Sequence, residues 1–362
     1  MVEIRLVKHS EEKERLVDLF QASFGLNMPA ELWDWKYIQN PLAPVDPEVI
    51  VALDNGKIVG ARPFRLAEMW LGNEKVRVAQ HGDTMVHPEH QRKGIFSQMG
   101  QFAIKYLKEN GYALSYGFAN PKSRPGFLKQ GYRIVAQREV MFRAFNPQKV
   151  ISHVLGNKVL GSGLGLFYDK VLNIKTTETV QPSTSFQIEV FDQFNDELKG
   201  IDTLRDESLI DLVRSESYLR WFFDQRPTRS YRYIVAKRDG TLWGYTVVGV
   251  KEKRDGLVCG YIVDHLVKDR DIACFQALIN RALSELGKSK SDIVIMWALG
   301  EPVIRKELLK HLGFKSTLLF PYNRLLTHGY LDAIRIDDRV AAEVNIYDKE
   351  NWRITYAYSD TK

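Results

Sequence analysis

Cysteine is scarce in this sequence, with only Cys259 and Cys274 among 362 residues. Neither lies in the Cys-x-x-Cys spacing of redox motifs and zinc sites, so the sequence excludes a disulfide framework and indicates no metal site. Unpaired thiols of this kind are typical of a reducing compartment. We therefore expect a cytoplasmic protein.

Long apolar runs are also lacking. No stretch reaches the roughly 18 consecutive apolar residues that identify a membrane-spanning helix, so no transmembrane segment is predicted. The first residues, Met1–Arg5, have neither the basic nor the apolar region of a signal peptide. With 44% hydrophobic and 27% charged residues, a chain of this length is typical of two globular domains.

Positive charge is in modest excess, with a formal net charge of +6. Scattered surface lysines that aid solubility account for such an excess. An anionic partner, such as a nucleotide cofactor or a membrane surface, is the alternative. No nucleic-acid partner is expected.

The sequence does contain an internal repeat, in which four segments of the first half recur in the same order in the second. The matched segments are Trp33–Pro41 with Trp221–Pro227, Ile50–Gly60 with Ile234–Gly244, Gly82–Val86 with Val263–Val267, and Leu128–Tyr132 with Lys310–Phe314. Four ordered matches at a nearly constant offset indicate a tandem duplication.

The duplication predicts two domains, at residues 1–143 and 187–328. A helical segment and linker at 144–186 joins them, and residues 329–362 form a C-terminal extension. Within the joining segment, residues 150–167 are apolar with flanking lysines. This stretch packs across the two domains or, as the alternative, lies on a membrane surface.

A strand-to-helix turn carries the chemistry of the first domain. A long strand is predicted from Val76 to Val86, and a helix from about Arg92 to Asn110. Backbone N–H groups at such a turn, with the positive end of the helix dipole, make a site for phosphates. Gly94 lets the backbone approach an anion closely, and the neighbouring Arg92 and Lys93 add positive charge.

This turn resembles the acetyl-CoA loop of the GNAT superfamily of N-acetyltransferases, whose pattern is Gln/Arg-x-x-Gly-x-Gly/Ala after Val-x-Pro. Gln91 and Gly94 match that pattern, whereas Phe96 departs at the final small position and reshapes the end of the loop. The likeness continues in Tyr116–Asn120 and Gly126–Tyr132, which resemble the fifth strand, the asparagine and the terminal Gly-aromatic pair of the family.

The resemblance implies an α/β (α+β) protein of two tandem GNAT folds, each with a mixed, mostly antiparallel central sheet flanked by helices. It also implies acetyl-CoA as co-substrate. By position, the residues expected to contact it are Met85, Val86, Gln91, Arg92, Lys93, Gly94, Ile95, Phe96, Asn120 and Phe127.

The second copy differs at the corresponding turn. After Val267 the turn that leads into the helix contains no glycine and is about four residues shorter than in the first copy. Asp269 and Asp271 in this turn would repel a pyrophosphate. We therefore predict that this degenerate copy does not bind acetyl-CoA. We expect it either to support the first domain or to form one wall of the acceptor site.

The resemblance also assigns roles in catalysis. In the family, the amide of the fourth-strand residue before the loop, here Val86, bonds the thioester oxygen. The usual general acid is a tyrosine four residues before the glycine of the Gly-aromatic pair, but this position is Phe127, which has no proton to donate. The candidate substitutes are Ser123, Tyr116 and Tyr132, with water or unassisted thiolate departure as the alternative.

A carboxylate on the fourth strand is the candidate base. Asp83 could accept the proton of the amine, directly or through water. Since Asp264 has the same place in the degenerate copy, a shared structural role stays open, and His81 is the next candidate. The aromatic cluster Trp33, Trp35 and Tyr37 forms either an acceptor wall or a part of the core.

These features predict an enzyme that acetylates a primary amine of a small molecule or peptide. One alternative is an aminoacyl transferase of the FemABX type, which also pairs two GNAT-like folds and uses aminoacyl-tRNA. Another is a non-catalytic CoA-binding scaffold, consistent with Phe127 and the degenerate second copy.

Overall fold

The structure is a computed structural model that describes residues 2–155, 185–317 and 329–359. Most of the predicted membrane-surface stretch and the polar linker after it lie outside the described residues. No helix in the described ranges is long and apolar enough to cross a membrane.

The first half begins with a strand and then combines strands and helices along the chain. Its elements are β1 (Glu3–Lys8), α1 (His9–Phe24), α2 (Ala30–Trp33) with a π-helical turn (Asp34–Ile38), β2 (Glu48–Asp54), β3 (Lys57–Arg62), β4 (Phe64–Leu71), β5 (Glu74–His81), β6 (Met85–Val86), α3 (Ile95–Glu109), β7 (Leu114–Gly117), α4 (Arg124–Lys129), β8 (Arg133–Gln137), β9 (Val140–Ala144) and α5 (Pro147–Leu155).

The second half repeats this order, with two short 3₁₀ turns in place of the first long helix. Its elements are β10 (Gln187–Phe191), β11 (Ile210–Leu212), α6 (Glu216–Leu219) with a π-helical turn (Arg220–Asp224), β12 (Tyr231–Arg238), β13 (Thr241–Glu252), β14 (Val258–Val267), α7 (Ile272–Lys288), β15 (Ile293–Trp297), α8 (Val303–His311), β16 (Lys315–Ser316) and β17 (Tyr330–Arg335).

The strands form mixed, mostly antiparallel sheets flanked by helices, which confirms the predicted fold class. The first copy has a four-stranded part, β1-β2-β3-β6, and a six-stranded part, β11-β4-β5-β7-β17-β8. The second copy has one seven-stranded sheet, β10-β12-β13-β14-β15-β9-β16. Two pairs of named strands run parallel in the described part of the chain, β5 with β7 and β14 with β15.

The two copies exchange a strand reciprocally. Strand β9, from the first half, lies between β15 and β16 of the second sheet. Strand β17, which follows the second half, lies between β7 and β8 of the first sheet. The stretch Tyr132–Phe142 therefore divides between β8 and β9, which belong to different sheets.

The exchange also crosses the predicted domain limits. Strand β9 spans the predicted limit at residue 143, and β17 lies in the predicted extension yet completes the first sheet. Both exchanged strands bury apolar side chains, including Met141, Phe142 and Leu331. Each such side chain contributes about 1.5–3 kcal/mol on burial, which ties the two copies together.

The π-helical turns of the two copies contact each other with pseudo-twofold symmetry. The indole N–H of Trp35 donates to the carbonyl of Trp221 at 2.8 Å, and the indole N–H of Trp221 donates to the carbonyl of Trp35 at 2.7 Å. Their rings stack with centroids 5.0 Å apart. Trp221 therefore corresponds to Trp35, and the alignment of Trp221 with Trp33 taken from the sequence is wrong by two residues.

Candidate active site

A V-shaped opening lies at the centre of the first copy. Strands β5 and β7 pair in parallel only as far as His81 and Gly117. Beyond that pair, the chain bends at Asp83, whose φ is +42°, and continues as β6 against β3. The predicted strand over Val76–Val86 is therefore broken. Because residues 118–120 turn instead toward α4, the two strands diverge and no longer pair with each other beyond His81 and Gly117.

The register of β6 sets the direction of its amides. The amide of His87 donates to the carbonyl of Val59 at 2.8 Å, so the next pair, Gly60 with Val86, is a non-hydrogen-bonded antiparallel pair. The N–H of Val86 therefore points away from β3, into the opening. The side chain of Met85, in contrast, packs in the core under α1, so the predicted contact between this side chain and the cofactor is not supported.

The loop before α3 presents a row of exposed amides. Arg92 and Gly94 have φ of +63° and +79°, a conformation that curls successive N–H groups toward one side. No hydrogen bond from the amides of residues 92–97 is found within the described part of the chain. Ile95 is buried and anchors the helix start, while Gln91 donates its side-chain amide to the Val86 carbonyl at 3.2 Å.

The two phenylalanines that depart from the family pattern pack against each other. Phe96 lies over Gly126 of α4, where a Cβ would come within 2.5 Å of its ring. The rings of Phe96 and Phe127 meet edge to face with centroids 5.2 Å apart. Phe96 therefore points into the α3–α4 contact and leaves the loop amides exposed, and Phe127 is a core aromatic.

The candidate proton donors differ in position. Tyr116 is fully buried between the two copies, with its hydroxyl 3.4 Å from the carbonyl of Tyr358, and this placement does not favour a role at the thioester. Ser123 lies at the start of α4 next to Asn120, whose side chain accepts from the amides of residues 122 and 123. Tyr132 is buried, and its hydroxyl donates to Ser115 at 2.8 Å.

Asp83 lies at the bend, and its carboxylate is already engaged. It accepts hydrogen bonds from the buried ammonium of Lys36 and, at 2.8 Å, from the hydroxyl of Tyr37. Trp33, Trp35 and Tyr37 are all buried, so this cluster belongs to the core and not to an exposed acceptor wall.

The corresponding carboxylate of the second copy, Asp264, is completely buried. Arg214 binds it through two hydrogen bonds of 2.8 and 3.0 Å, and the hydroxyls of Tyr245 and Thr355 also donate to it. Burial alone would raise the pKa of this carboxyl, but Arg214 and Tyr245 lower it to about 2.

The helix start of the second copy is closed by its own carboxylate. Only residues 268–271 connect β14 to α7, whereas residues 87–94 connect β6 to α3. Asp271 accepts from the amide of Cys274 at 2.9 Å and from the side chains of Arg238 and Trp243. An internal anion thus lies where the first copy presents free amides.

The opening of the second copy is also filled. The amide of Ile354 donates to the carbonyl of Leu299 just after β15, while Arg353 and Thr355 reach the carbonyl of His265 and the carboxylate of Asp264 on β14. The C-terminal segment 352–355 therefore lies between β14 and the chain that follows β15.

One pair at the base of the first opening was not assigned from the sequence. The imidazole of His81 lies 2.8 Å from the carboxylate of Asp332 on the exchanged strand β17. His81 was a secondary candidate base, but Asp332 lies in the predicted extension and no local pattern marks it. Among the described residues, no group of three or more His, Cys, Asp or Glu is arranged to hold a metal ion.

Comparison with known proteins identifies the family. Residues 3–135 match the family model described as an acetyltransferase (GNAT) domain. The first copy is a GNAT domain. No curated protein sequence matches the chain.

Solved structures extend the likeness to both copies. A GCN5-related N-acetyltransferase from Anabaena variabilis has 14% identity and a TM-score of 0.60, covering 94% of this chain and 75% of that one. A probable N-acyltransferase from Enterococcus faecalis has 13% identity and a TM-score of 0.64, covering 93% and 73%. A tandem GNAT protein from the clavulanic acid biosynthesis pathway has 12% identity and a TM-score of 0.54, covering 92% and 99%. Because the sequence identities are this low, the likeness to these structures shows a shared fold and nothing further.

Proposed function

We propose that the first copy transfers an acetyl group from acetyl-CoA to a primary amine of a small molecule or peptide. The observation that carries this proposal is the row of exposed amides over residues 92–97, next to an opening into which the N–H of Val86 points. Such an arrangement accommodates a ligand that has an anionic group and a long thioester arm.

Different residues of the site bind different parts of acetyl-CoA. The loop amides, with Arg92 and Lys93 at the rim, hold the pyrophosphate of acetyl-CoA. The pantetheine arm lies between β6 and residues 118–120. The N–H of Val86 donates to the thioester oxygen as negative charge develops there, and one such preorganised donor is worth roughly 10²–10³ in rate.

In the reaction, the neutral amine attacks the thioester carbon directly. The carbon–sulfur bond breaks as the amide bond forms, and one proton passes in net terms from the amine to the thiolate. We assign Asp83 to hold the bend of the fourth strand, because Lys36 and Tyr37 already engage its carboxylate.

The second copy has a supporting role in this proposal. Asp271 and the segment 352–355 occupy the places that the cofactor would need, and β11 and β17 extend the first sheet. A single acetyl-CoA site per chain is therefore expected.

The test is Gly94→Glu, with Gly240→Glu as the matched control. Both glycines have a positive φ, +79° and +73°, and at neither would a Cβ clash with a neighbour, but Gly240 lies in a hairpin of the second copy. We expect Gly94→Glu to weaken acetyl-CoA binding by at least about 100-fold in isothermal titration, or about 2.7 kcal/mol, and Gly240→Glu to bind like wild type.

The same preparations are then screened with a panel of primary amines, and free thiol is followed. Release of thiol by wild type and not by Gly94→Glu supports the proposal. Unchanged binding by Gly94→Glu would mean that the loop assignment is wrong. Binding without thiol release from any amine would instead favour a CoA-binding scaffold.

A further inference from the structure

The imidazole of His81 is fixed at the point where the first opening begins. His81 is the last residue of β5 that pairs with β7, and its side chain is 3% exposed. Its ring stacks on Phe127 with centroids 3.9 Å apart and meets Tyr132 edge-on at 5.1 Å. A Cβ at Gly117 would lie 2.3 Å from the ring, so only glycine leaves room for it.

The carboxylate of Asp332 holds one nitrogen of this ring. Asp332 Oδ2 lies 2.8 Å from His81 Nε2, and its Oδ1 accepts from the amide of Ala119 at 3.0 Å. Asp332 pairs with Gly117 on β17, the strand that the second half contributes to the first sheet. The pair therefore exists only because the strands are exchanged.

The other nitrogen of the ring is available for proton transfer. His81 Nδ1 makes no hydrogen bond to the described residues, while Nε2 is committed to Asp332. A carboxylate on one ring nitrogen fixes the orientation of an imidazole, which leaves the second nitrogen to exchange protons with a substrate.

The geometry points to His81 as the proton donor to the leaving thiolate, with Asp332 as its positioning residue. This inference rests on the proposed acetyl transfer. Phe127 occupies the place where the family has its tyrosine acid, and the His81 ring lies directly against that phenyl ring. The ring thus brings an exchangeable proton next to a position that otherwise lacks one.

The carbon–sulfur bond breaks and its electron pair goes to sulfur. The proton on Nδ1 of the His81 imidazolium moves to that sulfur and gives the free thiol of CoA. The neutral imidazole then takes up the proton that the acceptor nitrogen releases when the amide forms, which restores the imidazolium for the next turnover.

The second copy provides a matched control for this pair. His265 and Glu301 are both buried, and His265 Nε2 lies 2.8 Å from Glu301 Oε1, the same distance as in the first copy. Glu301 also contacts Arg305 and Arg353, in the region that the segment 352–355 fills. His265→Gln thus makes the same change in a buried pair away from the opening.

The experiment compares His81→Gln, Asp332→Asn and His265→Gln in the full chain, using the amine found by the thiol screen. We expect His81→Gln to lower kcat about 100-fold, the usual contribution of a general acid, with KM and acetyl-CoA affinity within about threefold of wild type. Asp332→Asn should lower kcat by at least about tenfold because the orientation of the ring is lost. His265→Gln should leave kcat within about twofold.

Chemical rescue gives a readout that a structural role would not produce. Added imidazole should raise the kcat of His81→Ala and leave that of wild type unchanged. A kcat for His81→Gln within about threefold of wild type would overturn the inference. So would a joint loss of acetyl-CoA binding in His81→Gln and Asp332→Asn, which would make the pair structural. Either result leaves the proposed function standing, since that depends on Gly94→Glu and on thiol release by wild type.

Discussion

Two carboxylates at corresponding positions, Asp83 and Asp264, are each bound by a cation and a tyrosine hydroxyl. In the first copy the cation is Lys36, and in the second it is Arg214. A base must exchange its proton freely, whereas a carboxylate fixed by a cation serves to hold the backbone around it. The recurrence of this arrangement in a copy with a filled opening supports the structural role for both.

The Asp264 carboxylate makes stability depend on pH. Its pKa is about 2 in the folded chain and about 4 in an unfolded one, so its contribution is present above pH 4 and is lost as the pH falls from about 4 to 2. We expect wild type to lose about 2 kcal/mol of unfolding free energy across that interval that Asp264→Asn does not lose. Urea denaturation at a series of pH values measures the unfolding free energy of wild type and of Asp264→Asn.

For each protein, the unfolding free energy at low pH is compared with its own value at neutral pH. This is needed because Asp264→Asn leaves Arg214 without its buried partner and is less stable at neutral pH. Parallel curves for the two proteins would show that Asp264 does not carry this pH dependence.

Local residue patterns predict a phosphate-binding loop before α3, but they do not predict the contact between His81 and Asp332. Gly94 and its basic neighbours act within one turn of backbone, so a short stretch of sequence contains the whole signal. Asp332 acts on His81 across 251 positions in the chain, and its register in the sheet is set by strand pairing that no periodicity reveals.

At the scale of elements, the exchanged strands are the feature that the sequence did not reveal. The repeat predicted the order of strands and helices because each copy keeps its own apolar pattern. Such a pattern does not specify which strands lie next to each other in a sheet. A short connection at Arg138 and Glu139 separates β8 from β9, and it directs the chain from one sheet to the other.

A chain shortened after residue 328 should not form a stable fold. Without β17, strands β7 and β8 lose their shared partner, the edges of both are left open, and His81 loses Asp332. We expect aggregation in size-exclusion chromatography and a weakened near-ultraviolet circular dichroism signal. A chain shortened after residue 359 keeps every contact described above and is the control.

Tight acetyl-CoA binding by the chain that ends at residue 328 would contradict this expectation, since it would show that the first copy forms its opening without the exchanged strand.

On the scale of the whole molecule, the two copies share one core. A single cluster of buried side chains includes Trp35 and Val78 of the first copy with Tyr233 and Val247 of the second. The reciprocal Trp35–Trp221 hydrogen bonds cross the same contact. This cluster is therefore common to both copies, and we expect them to unfold together.

Thermal and urea unfolding should show one transition, with the same midpoint by tryptophan fluorescence and far-ultraviolet circular dichroism. Acetyl-CoA at about 100 times its Kd should add about 2.7 kcal/mol to the unfolding free energy of the whole chain, and nothing to that of Gly94→Glu. Two separate transitions, with only one responding to acetyl-CoA, would contradict the shared core.

The position of β17 in the chain has a consequence for biosynthesis. Domains commonly fold as they leave the ribosome, the N-terminal one first. Here the half that is translated first cannot close its sheet until nearly the whole second half has followed it. The nascent chain must therefore keep two unsatisfied strand edges soluble throughout that delay, which makes the growing polypeptide a natural client for chaperones.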